Sequence, residues 1–451
     1  MVLKIIKKFW QLIKICLCIC LLTGTFYYGY NYLNDSFRTK GVEYNESFHN
    51  LPENSMDIIV LGSSHAQYSY VPSFVYQNTG LYSYVLGSAC QPLKVSYEML
   101  KEALKTQSPE LIILEVYTAT PLKLWCMADS CYVLAEYQMR GEEKQNVINM
   151  LPEEKAELYK NEFLVNHNNW KDLNDFKEIL NQPDREFIDP TFGFVCQDPP
   201  EYVDNWWYPN VFKETVDVEL DEEDLTALNN IYNLCNENNI EILLYMMPMD
   251  GLDVENQSYR YKVWQWAEER NIKYLDFVDL AEKLDYKMRI HNDGAHSLIN
   301  GSSYISDYLS EYVANEYKFN NHNNDDFLNT LYNKYVNMYS YKVFKSEPVF
   351  SKYKNRLEKY SGLLVVGIYN HNEQIDTFVR TVCNEEEYIK NRYVIYKNEI
   401  IASGDDYLWC EVNGRYIEIV GNSLRIDNET MNCNRNTIVI FDENGSGYVV
   451  K

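Results

Sequence analysis

Two short stretches of this chain carry the residue types that nucleophilic catalysis needs. The first, "DIIVLGSSHAQ" (57 to 67), runs an apolar strand into Gly62, Ser63, Ser64 and His65. Open α/β sheets place functional groups at the carboxyl ends of their strands. A glycine there permits a tight turn, and the serine that follows opens a helix beside unpaired backbone N–H groups. The second stretch, "HNDGAHSLINGSS" (291 to 303), sets Asp293 three residues before His296. One loop with that spacing presents an imidazole to a serine hydroxyl while the carboxylate holds the other ring nitrogen. Ser64 as nucleophile, His296 as general base and Asp293 as its orienter are therefore the candidate catalytic residues.

Other readings use the same residues. A strand-Gly-Ser-Ser turn also serves as a plain helix N-cap. Gly62-x-Ser64-x-Ala66 loosely matches a nucleophile elbow, but elbow enzymes carry acid and histidine on separate loops, whereas here they share one. His291, Asp293 and His296 offer imidazole and carboxylate to a divalent ion. No fourth ligand stands nearby, and a metal would leave the Gly-Ser-Ser turn unexplained, so neither a metal nor a cofactor is expected.

The elements that must position these residues alternate. "DIIVLG" (57 to 62), "YSYVLG" (82 to 87), "ELIILEVY" (110 to 117), "IEILLYMMP" (240 to 248) and "KYLDF" (273 to 277) read as strands, four of them apolar runs of the kind buried in parallel sheets. Residues 94 to 107, 221 to 239, 259 to 270 and 300 to 317 carry apolar residues at helical spacing, with Asn300 as a cap. This succession predicts a three-layer α/β/α domain over 55 to 318 with right-handed crossovers. Residues 118 to 220 break the rhythm and read as a mostly helical insertion. Its Tyr202, Trp206, Trp207 and Tyr208 could stack on sugar rings or pack in a core. After Tyr317, "KFNNHNNDD" opens a connecting segment (319 to 359). Residues 360 to 451 turn β-rich, with Asn-Gly hairpin signals at 413 to 414 and 444 to 445, and form a small, mainly β domain.

Charge and hydropathy limit the partners. A net charge of -25 argues against a polyanion-binding surface, so nucleic acid is excluded as a partner. At the N-terminus, Lys4, Lys7 and Lys8 precede "FWQLIKICLCICLLTGTFYYGYNYL", apolar for the length of a bilayer span. An aromatic belt at Phe26, Tyr27, Tyr28 and Tyr30, and the lack of a small-x-small cleavage site, favour an anchor (1 to 32) over a cleaved signal. The lysines leave the short N-terminus cytoplasmic and the rest of the chain extracytoplasmic. Cys16, Cys18 and Cys20 lie in the span; the remaining eight permit disulfides, with Cys126 and Cys131 the closest pair.

The strand-Gly-Ser-Ser start, the block "VLGSACQPLKVSYEMLKEAL", the strand "ELIILEVY" and the terminal Asp-x-x-His loop together resemble the SGNH hydrolase superfamily over about residues 55 to 318. The membrane tether and Gly-Ser-Ser-His layout are similar to the extracytoplasmic relatives of the teichoic acid D-alanyl transfer and alginate acetylation proteins. The resemblance implies an SGNH-like fold and the roles given above for Ser64, Asp293 and His296. It further implies an oxyanion hole from the backbone N–H groups of Ser64 and Gly87, with Gln91 a candidate in place of the family's asparagine. His65 would bind substrate or hydrogen-bond within the turn. "VNGRYIEIVGNSLRIDNETMNCNRNTIVIFDENGSGYVV" resembles the interleukin-like epithelial-mesenchymal transition inducer domain, which implies ligand or glycan binding or a packing role. The implied activity is that of a serine esterase or O-acyltransferase, acetylating or deacetylating a cell-surface glycan through an acyl-serine. A transferase implies a membrane-bound O-acyltransferase partner. The alternative is a non-catalytic scaffold that binds glycan or a partner protein.

Overall fold

The computed structural model describes residues 2–36, 47–120, 139–160, 188–198, 208–212, 214–249, 252–284, 286, 295–322, 324–347, 350–383, 389–421, 423–427, 429–432, 436–441 and 447–450. Helix α1 (Val2–Ser36) contains a span, Lys7–Tyr30, whose mean hydropathy is 1.8 and none of whose apolar window is buried.

Five parallel strands follow: β1 (Ile58–Gly62), β2 (Ser83–Gly87), β3 (Leu111–Glu115), β4 (Glu241–Met246) and β5 (Lys273–Asp276), in the order β2-β1-β3-β4-β5. Side chains alternate across the sheet. Ile59, Leu61, Ile112 and Leu114 enter one core layer, while Ile58, Val60, Leu111 and Ile113 enter the other. Burying each such side chain contributes about 1.5–3 kcal/mol, which is why β1 and β3 carry only apolar side chains before their last residues. Strand addition reverses at β1, which has β2 on one side and β3 on the other. A crevice opens at the carboxyl ends where such a reversal occurs.

Helices α2 (Ser64–Ser69) and α3 (Pro72–Thr79) lead from β1 to β2, and α4 (Leu93–Ala103) leads to β3. The helix at 72 to 79 was not expected; Pro72 at its first position and Gly80 in the left-handed conformation at its end mark it out. In the insertion, α5 (Gly141–Asn149) and α6 (Glu153–Tyr159) are helical, and residues 188 to 196 run along the edge of β2, where Val85 N donates to Phe192 O at 2.9 Å. Then come α7 (Glu222–Glu237), α8 (Val254–Glu268), α9 (Phe277–Leu280) and α10 (Ile299–Glu316). The cap of α10 is Leu298 rather than Asn300, which is buried two residues further on, within the first turn, and accepts from Gly301 N at 3.0 Å.

The connecting segment is itself structured. It forms α11 (Asp326–Ser346) and α12 (Phe350–Glu358), and α11 sends Tyr332 into the α/β core, where its hydroxyl takes Ser83 N (2.9 Å) and donates to Ser83 O (2.7 Å). Beyond it lie two antiparallel sheets. One has the order β14-β13-β6-β7-β8, from β6 (Leu364–Gly367), β7 (Arg392–Tyr396), β8 (Glu399–Gly404), β13 (Thr437–Phe441) and β14 (Gly447–Val450). The other is a meander of β9 (Tyr407–Val412), β10 (Arg415–Val420), β11 (Ser423–Ile426) and β12 (Glu429–Asn432). The sheets share a core of Val365, Val394, Leu408, Ile417, Ile419 and Val439. The Asn413-Gly414 hairpin has positive φ at both residues (49° and 73°), as its strand twist requires; Asn444 and Gly445 lie outside the described residues. Among the described residues of this domain one helix, α13 (Glu373–Cys383), joins the strands, and Phe378 and Val379 on it face the core shared with α11 and α12.

Candidate active site

The turn after β1 is built around a close approach. A Cβ on Gly62, whose φ is +154°, would lie 2.6 Å from Glu115 Cβ at the end of β3. Only glycine lets the two strand ends come so near. Ser63 then caps α2: its Oγ accepts from His65 N at 3.2 Å and donates to Glu115 Oε2 at 2.8 Å. Ser64 is the first residue of α2, where the backbone N–H groups have no partner within the helix.

His296 arrives from the far end of the domain. Its Nε2 lies 2.8 Å from Ser64 Oγ, within hydrogen-bonding range for proton transfer. A row of serines on α10 makes this meeting possible. Ser302 Oγ donates to Tyr68 O (2.6 Å), and Ser306 Oγ donates to Ser69 O (3.2 Å) and accepts from Val71 N (2.8 Å). These bonds stitch the start of α10 to the end of α2, so His296, two residues before the Leu298 cap of α10, falls beside the serine. Tyr68 packs its ring 4.6 Å from that of His296. Asp293 and His291 lie outside the described residues, as do Trp206, Trp207 and Tyr202.

Gly87 ends β2 directly beside Gly62 in the parallel register. A Cβ there would meet Ser63 O at 3.1 Å and Gln67 Cγ at 3.0 Å, so a side chain at this position would press on the turn after β1. Gln91 is differently employed from the oxyanion role expected of it. It is fully buried, its Nε2 donates to Ser96 Oγ (2.9 Å) and Leu86 O (3.3 Å), and its Oε1 accepts from Ser88 Oγ (3.1 Å). Both amide hydrogens are spent on bracing the loop after β2. That loop also holds Cys90, which is disulfide-bonded. His65 is 2% exposed; its ring lies 4.1 Å from that of Tyr117 and meets His296 edge to face at 5.6 Å, so it forms part of the wall behind His296.

Glu115 was not singled out from the sequence. It is completely buried beneath the turn, with Oε2 accepting from Ser63 N (3.3 Å) and Oγ, and Oε1 accepting from Tyr117 N (2.6 Å). Burial pushes its carboxyl up to about 7, against the pull of those three donors. The signal was present in "LIILE", where an acid closes an otherwise apolar buried strand at the functional edge of the sheet. Among the described residues no group of three or more His, Cys, Asp or Glu is placed to hold a metal ion.

No protein-family model and no curated protein matches this chain. Solved structures similar to it include a protein placed in the G-D-S-L lipolytic family from Desulfitobacterium hafniense DCB-2 (12% identity, 57% of this chain and 99% of that one, TM-score 0.29). A GDSL-like lipase from Bacteroides thetaiotaomicron VPI-5482 is similar over 60% of this chain and 95% of its own, at 8% identity and TM-score 0.30. An acetyl xylan esterase from Butyrivibrio proteoclasticus is similar over 59% and 65%, at 11% identity and TM-score 0.25. Likenesses this loose carry no argument about the reaction, which rests on the geometry of Ser64, His296 and the turn that holds them.

Proposed function

We propose that this protein is a membrane-anchored, extracytoplasmic serine esterase or O-acyltransferase that moves an acyl group to or from a cell-surface glycan through an acyl-Ser64 intermediate. The observation that carries the reading is the 2.8 Å contact of His296 Nε2 with Ser64 Oγ at the carboxyl edge of the sheet. The anchor reading is supported by the exposed apolar helix, and the compartment by the disulfide at Cys90, since such bonds persist where the surroundings are oxidising.

In the proposed reaction, Ser64 Oγ attacks the acyl carbonyl carbon as His296 Nε2 takes its proton. Backbone N–H groups of Ser64 and Gly87 receive the oxyanion. Collapse expels the alcohol, which takes the proton back from His296, and leaves an ester on Ser64. Water or a glycan hydroxyl, deprotonated in turn by His296, then releases the acyl group. Asp293 would hold Nδ1 of the ring, and a membrane-bound O-acyltransferase partner would supply acyl groups if transfer is the physiological direction. A scaffold without catalysis is the second reading, favoured by the engagement of both Gln91 amide hydrogens, which removes the side-chain oxyanion donor.

The full chain in detergent, exposed to a fluorophosphonate and weighed intact, separates the two. A single adduct on the wild type, absent from Ser64→Ala and slowed by roughly 10³-fold or more in His296→Ala, is the expected result. An unlabelled wild type would leave the scaffold.

A further inference from the structure

We propose that the outer face of the β9–β12 meander is a second, non-catalytic binding site for an uncharged polysaccharide. Alternation along these strands sends Leu408, Ile417, Ile419, Leu424 and Ile426 into the core between the sheets and should leave polar residues outside. The outer face instead carries Tyr407 (54% exposed), Trp409 (57%) and Tyr416 (38%). The ring of Trp409 lies nearly parallel to that of Tyr416, at 27° and 6.4 Å between centroids, so the two make one continuous aromatic surface. Tyr407 extends it along β9. Large rings left in water on an ordered sheet cost solvation free energy that a soluble domain has no folding reason to spend.

The remaining groups on the face decide the occupant. Register places Glu418 opposite Trp409 and Glu411 opposite Tyr416, with Arg425 beside Glu418 at 4.0 Å. Carboxylates next to ring faces suit a pyranose, whose C–H face packs on the ring while its hydroxyls donate to the acid oxygens. Two carboxylates against one guanidinium, in a chain of net charge -25, oppose a polyanion or an anionic lipid surface. The surface is an open sheet face and not a cavity, which suits a length of polymer rather than a single sugar. The site needs nothing from Ser64, so it stands or falls apart from the reaction proposed there.

The test is native affinity electrophoresis of the full chain in detergent, through gels containing hydroxyethyl cellulose, xylan or glucomannan, with polygalacturonate as the anionic comparison. The wild type and Ser64→Ala should both be retarded by at least one neutral polymer. Trp409→Ala and Tyr416→Ala should each weaken retardation by roughly tenfold, while Tyr369→Ala, an exposed tyrosine away from this face, should not. The circular dichroism spectrum and the thermal midpoint should be unchanged in all three aromatic variants, which shows that they fold. Retardation by no neutral polymer, retardation only by polygalacturonate, or retardation indifferent to Trp409 would overturn the proposal. So would sedimentation showing a dimer that Trp409→Ala dissolves, since the face would then be covered by a second copy.

Discussion

Glu115→Gln separates the two demands that the turn carrying Ser63 and Ser64 makes on its buried acid. Three donors converge on the carboxylate, two from Ser63 and one from Tyr117. A carboxamide has a single acceptor oxygen, so if it serves Ser63, its NH2 group faces Tyr117 N–H, donor against donor. That mismatch costs about 1–3 kcal/mol. Against it stands the cost of burying the charge. The carboxyl is raised from 4.5 to about 7 by burial, a displacement worth about 3 kcal/mol. The folded protein therefore holds a proton between pH 4.5 and 7 that the unfolded chain has released, so this group's contribution to stability falls as pH rises through that window. At pH 5 the wild-type acid is neutral and still satisfies its neighbours, because a protonated oxygen can donate to Ser63 Oγ; the glutamine variant should then be less stable by about 1–3 kcal/mol. At pH 8 the wild type bears the buried charge and the variant does not, so the gap should close or reverse by about 3 kcal/mol. Urea unfolding of both proteins at pH 5 and pH 8 measures this directly. A difference independent of pH, or a variant relatively worse at pH 8, would refute the reasoning, since the donors would then outweigh burial.

Two further outcomes follow from contacts around the same site. Gly62→Ala puts a Cβ 2.6 Å from Glu115 Cβ and 3.1 Å from that of Ala66; it should lower stability by about 1–3 kcal/mol and slow fluorophosphonate labelling, and unchanged labelling would mean the close approach does not position Ser64. Arg356 on α12 is buried, stacks 3.3 Å over the Phe74 ring and binds Asp307 on α10 through Nη2 at 2.6 and 2.7 Å; Arg356→Ala should cost about 2–3 kcal/mol, read as a lowered thermal midpoint, and a midpoint unmoved would show that the C-terminal half does not brace α3 and α10.

Much of the architecture was legible because it depends on local pattern. Apolar runs of strand length announced β1 to β4, and their alternation with amphipathic segments implied the parallel sheet. The Asn413-Gly414 turn followed from its two residues alone. The connecting segment was read as a break because "KFNNHNNDD" is polar, yet the residues after it form helices whose tyrosines pack into two cores. Composition at an entrance says little about burial further along. Asn300 looked like a cap by residue type, but the helix begins earlier, where Leu298 takes the extended conformation.

Within the candidate site, Ser64 and His296 were identifiable because each stands in a short motif whose residue types are those of one chemistry. Their separation of 2.8 Å was not, because it depends on serines of α10 bonding to the backbone at the end of α2, contacts between segments far apart in the chain. The employment of Gln91 and Glu115 likewise depended on what surrounds them. A side-chain amide has two donors wherever it sits, and only the fold aims them at Leu86 and Ser96. A glutamate is an ordinary acid until the turn after β1 and the residues after β3 close over it, and burial, a property of the assembled sheet, then sets its charge. Sequence by itself determined which residues could react and where strands would end; the tertiary structure decided which of them meet and what their surroundings make of them.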